Sequence, residues 1–172
     1  MRIFVVALFV VFSCISSALW AEPELPPESA KNIILLVGDG MGVEILGLLH
    51  DYAAIVENRS PHIAKVMRDG HLSLAHVTSA DKLVIDSAAA GTAIATGTKT
   101  RNGMVAVAPD GSAPPTILEL ARDASRSTGL VTTTSLSHAT PACFAAHAEE
   151  RKSEAEIAEQ MSDAGVTVMM GG

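Results

Sequence analysis

The sequence predicts an α/β fold, in which helices cover both faces of a doubly wound, mostly parallel central sheet. Residues 32–37 form an unbroken apolar run, which is typical of a parallel strand buried on both faces. Farther along the chain, strand candidates alternate with segments of helical periodicity. Because ligands bind at the carboxyl ends of the strands in such sheets, the residues that follow each strand are the first candidates for function.

The amino terminus predicts export. Arg2 and the apolar run that follows it, ending in small residues, indicate a signal peptide over residues 1–21 that is too short for a stable membrane span. Cleavage after Ala18 and cleavage after Ala21 both fit. Residues 22–30, rich in proline and glutamate, predict an exposed leader, and residues 31–172 are left as the domain. We therefore expect a periplasmic or secreted protein.

Charge and cysteine content narrow the function classes. The formal net charge is −7, and it becomes −8 once Arg2 leaves with the signal peptide, which argues against nucleic acid as a partner. Cys14 lies in the predicted signal peptide; a lipoprotein attachment at this cysteine is an alternative, but its neighbours fit it poorly. Cys143 is then the one cysteine of the mature chain, so an intramolecular disulfide is excluded.

The first elements after residues 32–37 are a helix and a strand. Ser60 suits an N-cap, Pro61 suits the first helical turn, and Gly70 suits the stop of a helix. Residues 72–77 are the next strand candidate, and an alanine-rich helix follows Ser87.

The second half of the domain repeats this alternation. Glycines and prolines mark residues 97–115 as a long irregular connection, which in a compact domain is usually functional or disordered. Thr116 and Glu119 form a capping box that predicts a helix to about residue 127, before a strand at residues 130–134.

The last predicted elements are another helix and strand. Ser153 and Glu156 form a second capping box, and Gly165 suits the end of that helix. The apolar residues 166–170 then predict a further buried strand.

Ser87 stands where an apolar segment meets an alanine-rich helix, and two explanations are open. The residue could be the N-cap of the helix, because Asp-Ser before alanines is common at helix starts. It could instead be a nucleophile, because the unpaired N–H groups and the dipole of a helix N-terminus favour an anion beside it.

Four further residues carry functional alternatives. Asp39 lies between glycines directly after the first strand candidate, where it is either a cation ligand or a solvated turn residue. His138 and Thr140 follow another strand candidate; two apart on an extended segment they point the same way, which suits a hard-cation site. The alternative, which these residues by themselves favour, is a polar loop with Pro141 as a turn former. Arg151 lies in a charged run that is either a solvated face or a phosphate clamp.

Taken together, these segments resemble the alkaline phosphatase family. The matching runs, in the family's order and with its separations, are GDGMG at residues 38–42, DSAAA at 86–90, TGTKT at 96–100, TILE at 116–119, VTTT at 131–134 and HATP at 138–141. The resemblance covers residues 31–172 and only the amino-terminal part of a family member. It implies hydrolysis of phosphate monoesters through a phosphoserine intermediate, with two zinc ions and one magnesium ion.

The resemblance also implies roles for single residues. Ser87 is the residue that becomes phosphorylated, with Asp86 as a supporting neighbour, and Arg151 binds the phosphate oxygens. Asp39 bridges magnesium and one zinc, and Thr140 is a magnesium ligand.

The position of His138 is aspartate in some members of the family and histidine in others. The resemblance places it near magnesium, acting through water. A homodimer is implied as well.

The remaining zinc ligands of the family come from strands beyond those of this sequence. We therefore expect a fragment that is inactive by itself. The alternatives are a non-catalytic short product that binds phosphate or a partner subunit, and a related phosphodiesterase. A sulfatase is less favoured, because alanines follow Ser87.

Overall fold

The computed structural model describes residues 30–172, and contacts divide the chain into a unit ending at Val37 and a unit from Gly38 to Gly172. The predicted signal peptide and residues 22–29 of the predicted leader lie outside the described residues. Residues 32–37 form no strand, and their side chains are exposed, with Leu36 at 90%. The prediction of a buried strand there is wrong, because a parallel strand needs bonded neighbours and cover on both faces.

The second unit contains both helices and strands. In chain order they are α1 (Val43–Ile55), α2 (His62–Asp69), α3 (Ser87–Thr96), α4 (Ile117–Asp123), β1 (Gly129–Val131), α5 (Ala139–Ala142), α6 (Glu154–Asp163) and β2 (Val168–Met170). Helices α1 and α5 were not predicted from the sequence; neither has a side-chain cap that could have marked its start. None of the helices in residues 30–172 is long and apolar enough to cross a membrane.

The helix predicted over residues 60–70 is confirmed as α2. Its N-cap is Pro61 rather than Ser60, and Gly70 is its C-cap. The strand predicted at residues 72–77 is wrong, since that segment is irregular and Leu74 is 93% exposed. Like residues 32–37, it has no neighbouring strand among the described residues.

Strands β1 and β2 pair in parallel, with Gly129 opposite Val168 and Val131 opposite Met170. Both are shorter than predicted, but the chain passes from one to the other through α5 and α6, as a parallel pair requires. This strand, helix, strand order is the local form of the predicted α/β class.

The core lies among α3, α5, α6 and the irregular connection over residues 97–115. Val105, Cys143 and Ile157 are fully buried, and Cys143 is a free thiol. Val105 bridges Ala148 through two backbone hydrogen bonds of 2.8 and 2.9 Å. The connection is therefore a packed part of the core, and it brings residues 102 and 103 back to the start of α3.

Two capping boxes were predicted, and one forms. The Thr116 hydroxyl accepts from the Glu119 N–H at 3.1 Å, and the Glu119 carboxylate accepts from the Thr116 N–H at 2.8 Å. Ser153 makes no side-chain cap bond; its ψ of 50° departs from the extended backbone of Thr116, whose ψ is 157°. The second capping box is therefore wrong, although α6 begins where predicted.

Candidate active site

The start of α3 places Ser87 one residue inside the helix. Asp86 is the N-cap, with extended backbone, and its Oδ1 accepts from the Ala89 N–H at 2.9 Å. The cap explanation of Ser87 is wrong, because the neighbouring carboxylate performs that role. The Ser87 hydroxyl is free for another partner at the positive end of the helix.

That partner is Arg151. Its Nη1 donates to Ser87 Oγ at 2.9 Å and to Asp86 Oδ2 at 3.1 Å. The side chains of Arg151 and Asp86 are 27% and 26% exposed, so the pair is half-buried and yet open to a ligand from solvent. A guanidinium has five N–H donors. Partners within residues 30–172 engage three of them once the contact of Nη2 with His138 is included, which leaves two for phosphate oxygens in this part of the chain.

His138 joins this cluster through its ring. Arg151 Nη2 lies 3.2 Å from His138 Nε2, and because a guanidinium can only donate, Nε2 accepts. The other ring nitrogen, Nδ1, is buried and has no hydrogen-bond partner within residues 30–172, so it is available to a water molecule or a ligand.

Thr140 and Asp39 meet although they are 101 residues apart in the chain. Thr140 Oγ1 donates to Asp39 Oδ2 at 2.5 Å. Asp39 lies in a turn closed by a 3.2 Å hydrogen bond from the Met41 N–H to the Gly38 carbonyl, in which Gly40 has a φ of +68°. Its backbone is thus the predicted tight turn, while its carboxylate points to the Thr140 hydroxyl.

The expectation of an extended segment at residues 138–140 is wrong. His138 is the N-cap of α5, and Thr140 is in the first turn of that helix. The helical turn sends the two side chains to different neighbours, so that His138 meets Arg151 and Thr140 meets Asp39.

The donor atoms fit magnesium better than zinc. A carboxylate and a hydroxyl oxygen converge at Asp39 and Thr140, and hard oxygen donors suit Mg²⁺. Zinc needs about three protein ligands of the carboxylate, imidazole or thiolate type. Residues 30–172 contain no group of three or more such side chains that could hold a metal ion, so the described part of the chain does not complete a zinc site.

Sequence reasoning missed Asn102 and Gly103. Asn102 Oδ1 accepts from the Asp86 N–H at 3.1 Å, and the Gly103 N–H donates to Asp86 Oδ2 at 3.1 Å. The available signal was the Asn-Gly dipeptide, a common turn former. Nothing in the dipeptide itself indicates that the turn folds back onto Asp86, 16 residues earlier.

The chain is similar to known alkaline phosphatases in sequence and in structure. The family model for alkaline phosphatase matches residues 30–170. Alkaline phosphatase 4 of Bacillus subtilis strain 168 is 37% identical over 138 residues, which cover 77% of this chain and 29% of that protein. The crystal structure of Thermus thermophilus alkaline phosphatase superposes with a TM-score of 0.72 at 34% identity, covering 76% of this chain and 28% of that one.

A further structural match is a histidine-to-aspartate variant of the TAB5 alkaline phosphatase, with Mg bound in the M3 site. Its TM-score is 0.64 at 33% identity, covering 69% of this chain and 34% of that chain. The chain described here belongs to the alkaline phosphatase family and has its α/β fold. It spans about a third of the length of the curated relatives that it matches.

Proposed function

We propose that this chain carries the nucleophile and the phosphate-binding arginine of an alkaline-phosphatase-type phosphomonoesterase, as the amino-terminal part of its catalytic domain over residues 31–172. The observation that carries the proposal is the 2.9 Å contact of Arg151 Nη1 with Ser87 Oγ at the start of α3. A guanidinium and a helix N-terminus together favour the dianionic phosphoryl group directly beside a hydroxyl. Family membership supports the same chemistry.

In the proposed reaction, Ser87 Oγ attacks the phosphorus of the ester. The new O–P bond forms as the ester O–P bond breaks. The leaving alcohol keeps the electron pair of the broken bond and takes up the proton that Ser87 loses. Water then attacks the phosphoserine, the electron pair returns to Ser87 Oγ, and inorganic phosphate leaves. Throughout, the free N–H donors of Arg151 and the backbone N–H groups at the start of α3 hold the charge of the transferring group.

Asp86 holds Arg151 in position to bind the phosphoryl group. Its Oδ2 accepts from Arg151 Nη1, while its Oδ1 is fixed by the helix backbone. We propose that a phosphate displaces the contact of Arg151 with Ser87 and leaves the contact with Asp86 intact. The arginine then approaches the ligand from one fixed side.

The proposed cofactors are two zinc ions and one magnesium ion. Asp39 and Thr140 would hold magnesium, His138 would lie near it through a water molecule, and Asp39 would also face one zinc. The buried Nδ1 of His138, which has no hydrogen-bond partner within residues 30–172, supports such a water. When bound, these ions lower the pKa of the nucleophilic hydroxyl and neutralise the phosphoryl charge.

Export and assembly complete the proposal. We propose a periplasmic or secreted protein acting on small phosphomonoesters, with a homodimer as its assembly. The export rests on the signal-peptide pattern of residues 1–21, and the substrate class and the homodimer rest on the family.

The test compares two polypeptides with their Ser87→Ala variants in zinc and magnesium, using p-nitrophenyl phosphate. Residues 1–172 alone should hydrolyse it no faster than their variant, because the described residues lack a three-ligand zinc group. The full-length product of the source gene should show turnover that Ser87→Ala abolishes. Ser87-dependent turnover by residues 1–172 would contradict the expected inactivity, and turnover unaffected by Ser87→Ala would contradict the proposed nucleophile.

A further inference from the structure

The Asn102–Gly103 turn contacts both the segment that precedes Ser87 and the backbone of Arg151. The side chain of Asn102 accepts from the Asp86 N–H at 3.1 Å and donates through Nδ2 to the Val84 carbonyl at 2.9 Å. The Asn102 side chain therefore holds the backbone immediately before Ser87 through two hydrogen bonds. Because Asp86 precedes Ser87 directly, these hydrogen bonds determine where α3 begins and where the Ser87 hydroxyl lies.

Gly103 connects the same turn to Arg151. Its N–H donates to Asp86 Oδ2 at 3.1 Å, and its carbonyl accepts from the Arg151 N–H at 2.7 Å. The Gly103 N–H thus fixes the Asp86 carboxylate, which holds the Arg151 guanidinium. The Gly103 carbonyl fixes the backbone of Arg151. The φ of Gly103 is +89°, which a residue with a side chain adopts only under strain.

The turn is itself anchored from the other side. The Asn102 N–H donates to Asp81 Oδ1 at 2.9 Å, and the Ser79 hydroxyl donates to the same oxygen at 3.1 Å. The hydrogen bond from the Asn102 backbone, together with that from Ser79, holds the pKa of Asp81 below its usual value, so Asp81 is an ionised acceptor at neutral pH. Asn102 is therefore held by a fixed carboxylate and not merely by solvent.

We propose that Asn102 is a positioning residue, which acts through Asp86 to align Ser87 Oγ with the Arg151 guanidinium for phosphoryl transfer. The inference rests on the proposed function. Reacting atoms must be held to a fraction of an ångström, and a displacement of about 1 Å far from the chemistry can cost about a hundredfold in rate. Asn102 reaches neither the hydroxyl nor the guanidinium, so its effect depends on the two contacts that fix residues 84 and 86.

The kinetic test uses the product of the intact source gene and p-nitrophenyl phosphate. Asn102→Ala removes both side-chain contacts and should lower kcat by about ten- to a hundredfold with a smaller change in KM, because a misplaced hydroxyl still lies beside a bound ester. Asn102→Asp keeps the acceptor for the Asp86 N–H and loses the donor to Val84, so its kcat should lie between that of the alanine variant and that of the wild type. An unchanged kcat in Asn102→Ala overturns the proposal.

Gln160→Ala serves as the matched control for lost stability. Gln160 accepts from the His147 N–H at 2.7 Å and donates to the His147 carbonyl at 2.9 Å, away from Ser87 and Arg151. This variant should lose thermal stability and keep the wild-type kcat per folded molecule. If Gln160→Ala, compared at equal folded fraction, lowers kcat as much as Asn102→Ala does, the role of Asn102 is structural and the proposal is wrong.

A measurement without turnover separates this inference from the proposed function. Amide hydrogen exchange at Asp86 should quicken in Asn102→Ala and stay at the wild-type rate in Gln160→Ala. Absence of Ser87-dependent turnover in the wild type would refute the proposed function. Unchanged protection of the Asp86 amide in Asn102→Ala would refute the positioning role, whether or not the protein turns over.

Discussion

At the scale of single residues, the site is organised around what Arg151 can donate. Its Nη1 donates hydrogen bonds to Ser87 and Asp86, and its Nη2 donates to His138. One planar group therefore connects three partners from two parts of the chain. A lysine ammonium has three donors on a single atom and cannot span these positions at once. The shape of the guanidinium therefore matters here in addition to its charge.

Replacing Arg151 with lysine should weaken phosphate binding. We expect the inhibition constant of inorganic phosphate to rise by about tenfold or more in Arg151→Lys of the intact gene product, which corresponds to about 1.4 kcal/mol for the lost fork geometry. Arg68→Lys is the control, since Arg68 lies on α2 with 70% of its side chain exposed. An inhibition constant equal to that of the wild type in Arg151→Lys would show that Arg151 binds phosphate as a charge alone, or not at all.

At the scale of elements, the start of α4 shows how a local sequence signal becomes a tertiary contact. Glu119 closes the capping box with Thr116, and its other oxygen lies 3.2 Å from His147 Nε2. His147 Nδ1 lies 2.6 Å from the Ala106 carbonyl, so the ring joins α4 to the irregular connection over residues 97–115. Burial alone would raise the pKa of Glu119, but the hydrogen bonds from Thr116 and His147 outweigh it and lower that pKa.

The lowered pKa of Glu119 predicts a pH dependence of stability. A carboxyl group with a depressed folded-state pKa stabilises the fold above its unfolded value of about 4.3, and the effect is lost as the pH falls through the folded value. Glu119→Gln keeps a capping-box side chain but loses the charge. It should therefore lower the unfolding free energy by about 1 kcal/mol near pH 6 and by less near pH 3.

Urea denaturation at the two pH values measures this difference. Glu159→Gln makes the same charge change at an exposed position of α6 and should leave the unfolding free energy nearly unchanged at both. A deficit in Glu119→Gln of equal size at pH 6 and pH 3 would contradict an ionised Glu119.

Local signals predicted several helix boundaries, whereas the residues alone did not predict the contacts between distant segments. The capping box at Thr116, the stop at Gly70 and the helix after Asp86 depend on residues within one turn of each other, so the sequence contains all that they need. The contacts of Asn102 with Asp86 and of Thr140 with Asp39 cross 16 and 101 residues, and they depend on how the chain folds back. The resemblance to a family placed Thr140 and Asp39 at one site, and the structure brings them into contact.

At the scale of the whole molecule, apolar side chains that predicted buried strands are exposed. Leu36 and Leu74 are 90% and 93% exposed, and residues 32–37 and 72–77 form no strand. An apolar run indicates that a segment is suited to burial, but the partner that buries it lies elsewhere in a chain or complex. This is why strand formation could not be predicted from these runs alone.

The exposed apolar runs predict self-association of residues 1–172. Each leucine side chain left in water forgoes about 1.5–3 kcal/mol of burial, and unpaired strand-forming segments promote contact between chains. We expect light scattering to show oligomers and an apolar-surface dye to fluoresce, with both signals reduced in the double variant Leu36→Ser, Leu74→Ser. A monomer that binds no dye would contradict this prediction.

The central claim is that Ser87 accepts the phosphoryl group, and acid-quenched mass spectrometry tests it most directly. The intact gene product is incubated with p-nitrophenyl phosphate in zinc and magnesium, quenched in acid and digested, beside its Ser87→Ala variant. We expect one added phosphoryl group on the peptide that contains Ser87, and none on the corresponding peptide of the variant. Turnover without phosphate on that peptide, or with phosphate on another residue, would contradict it.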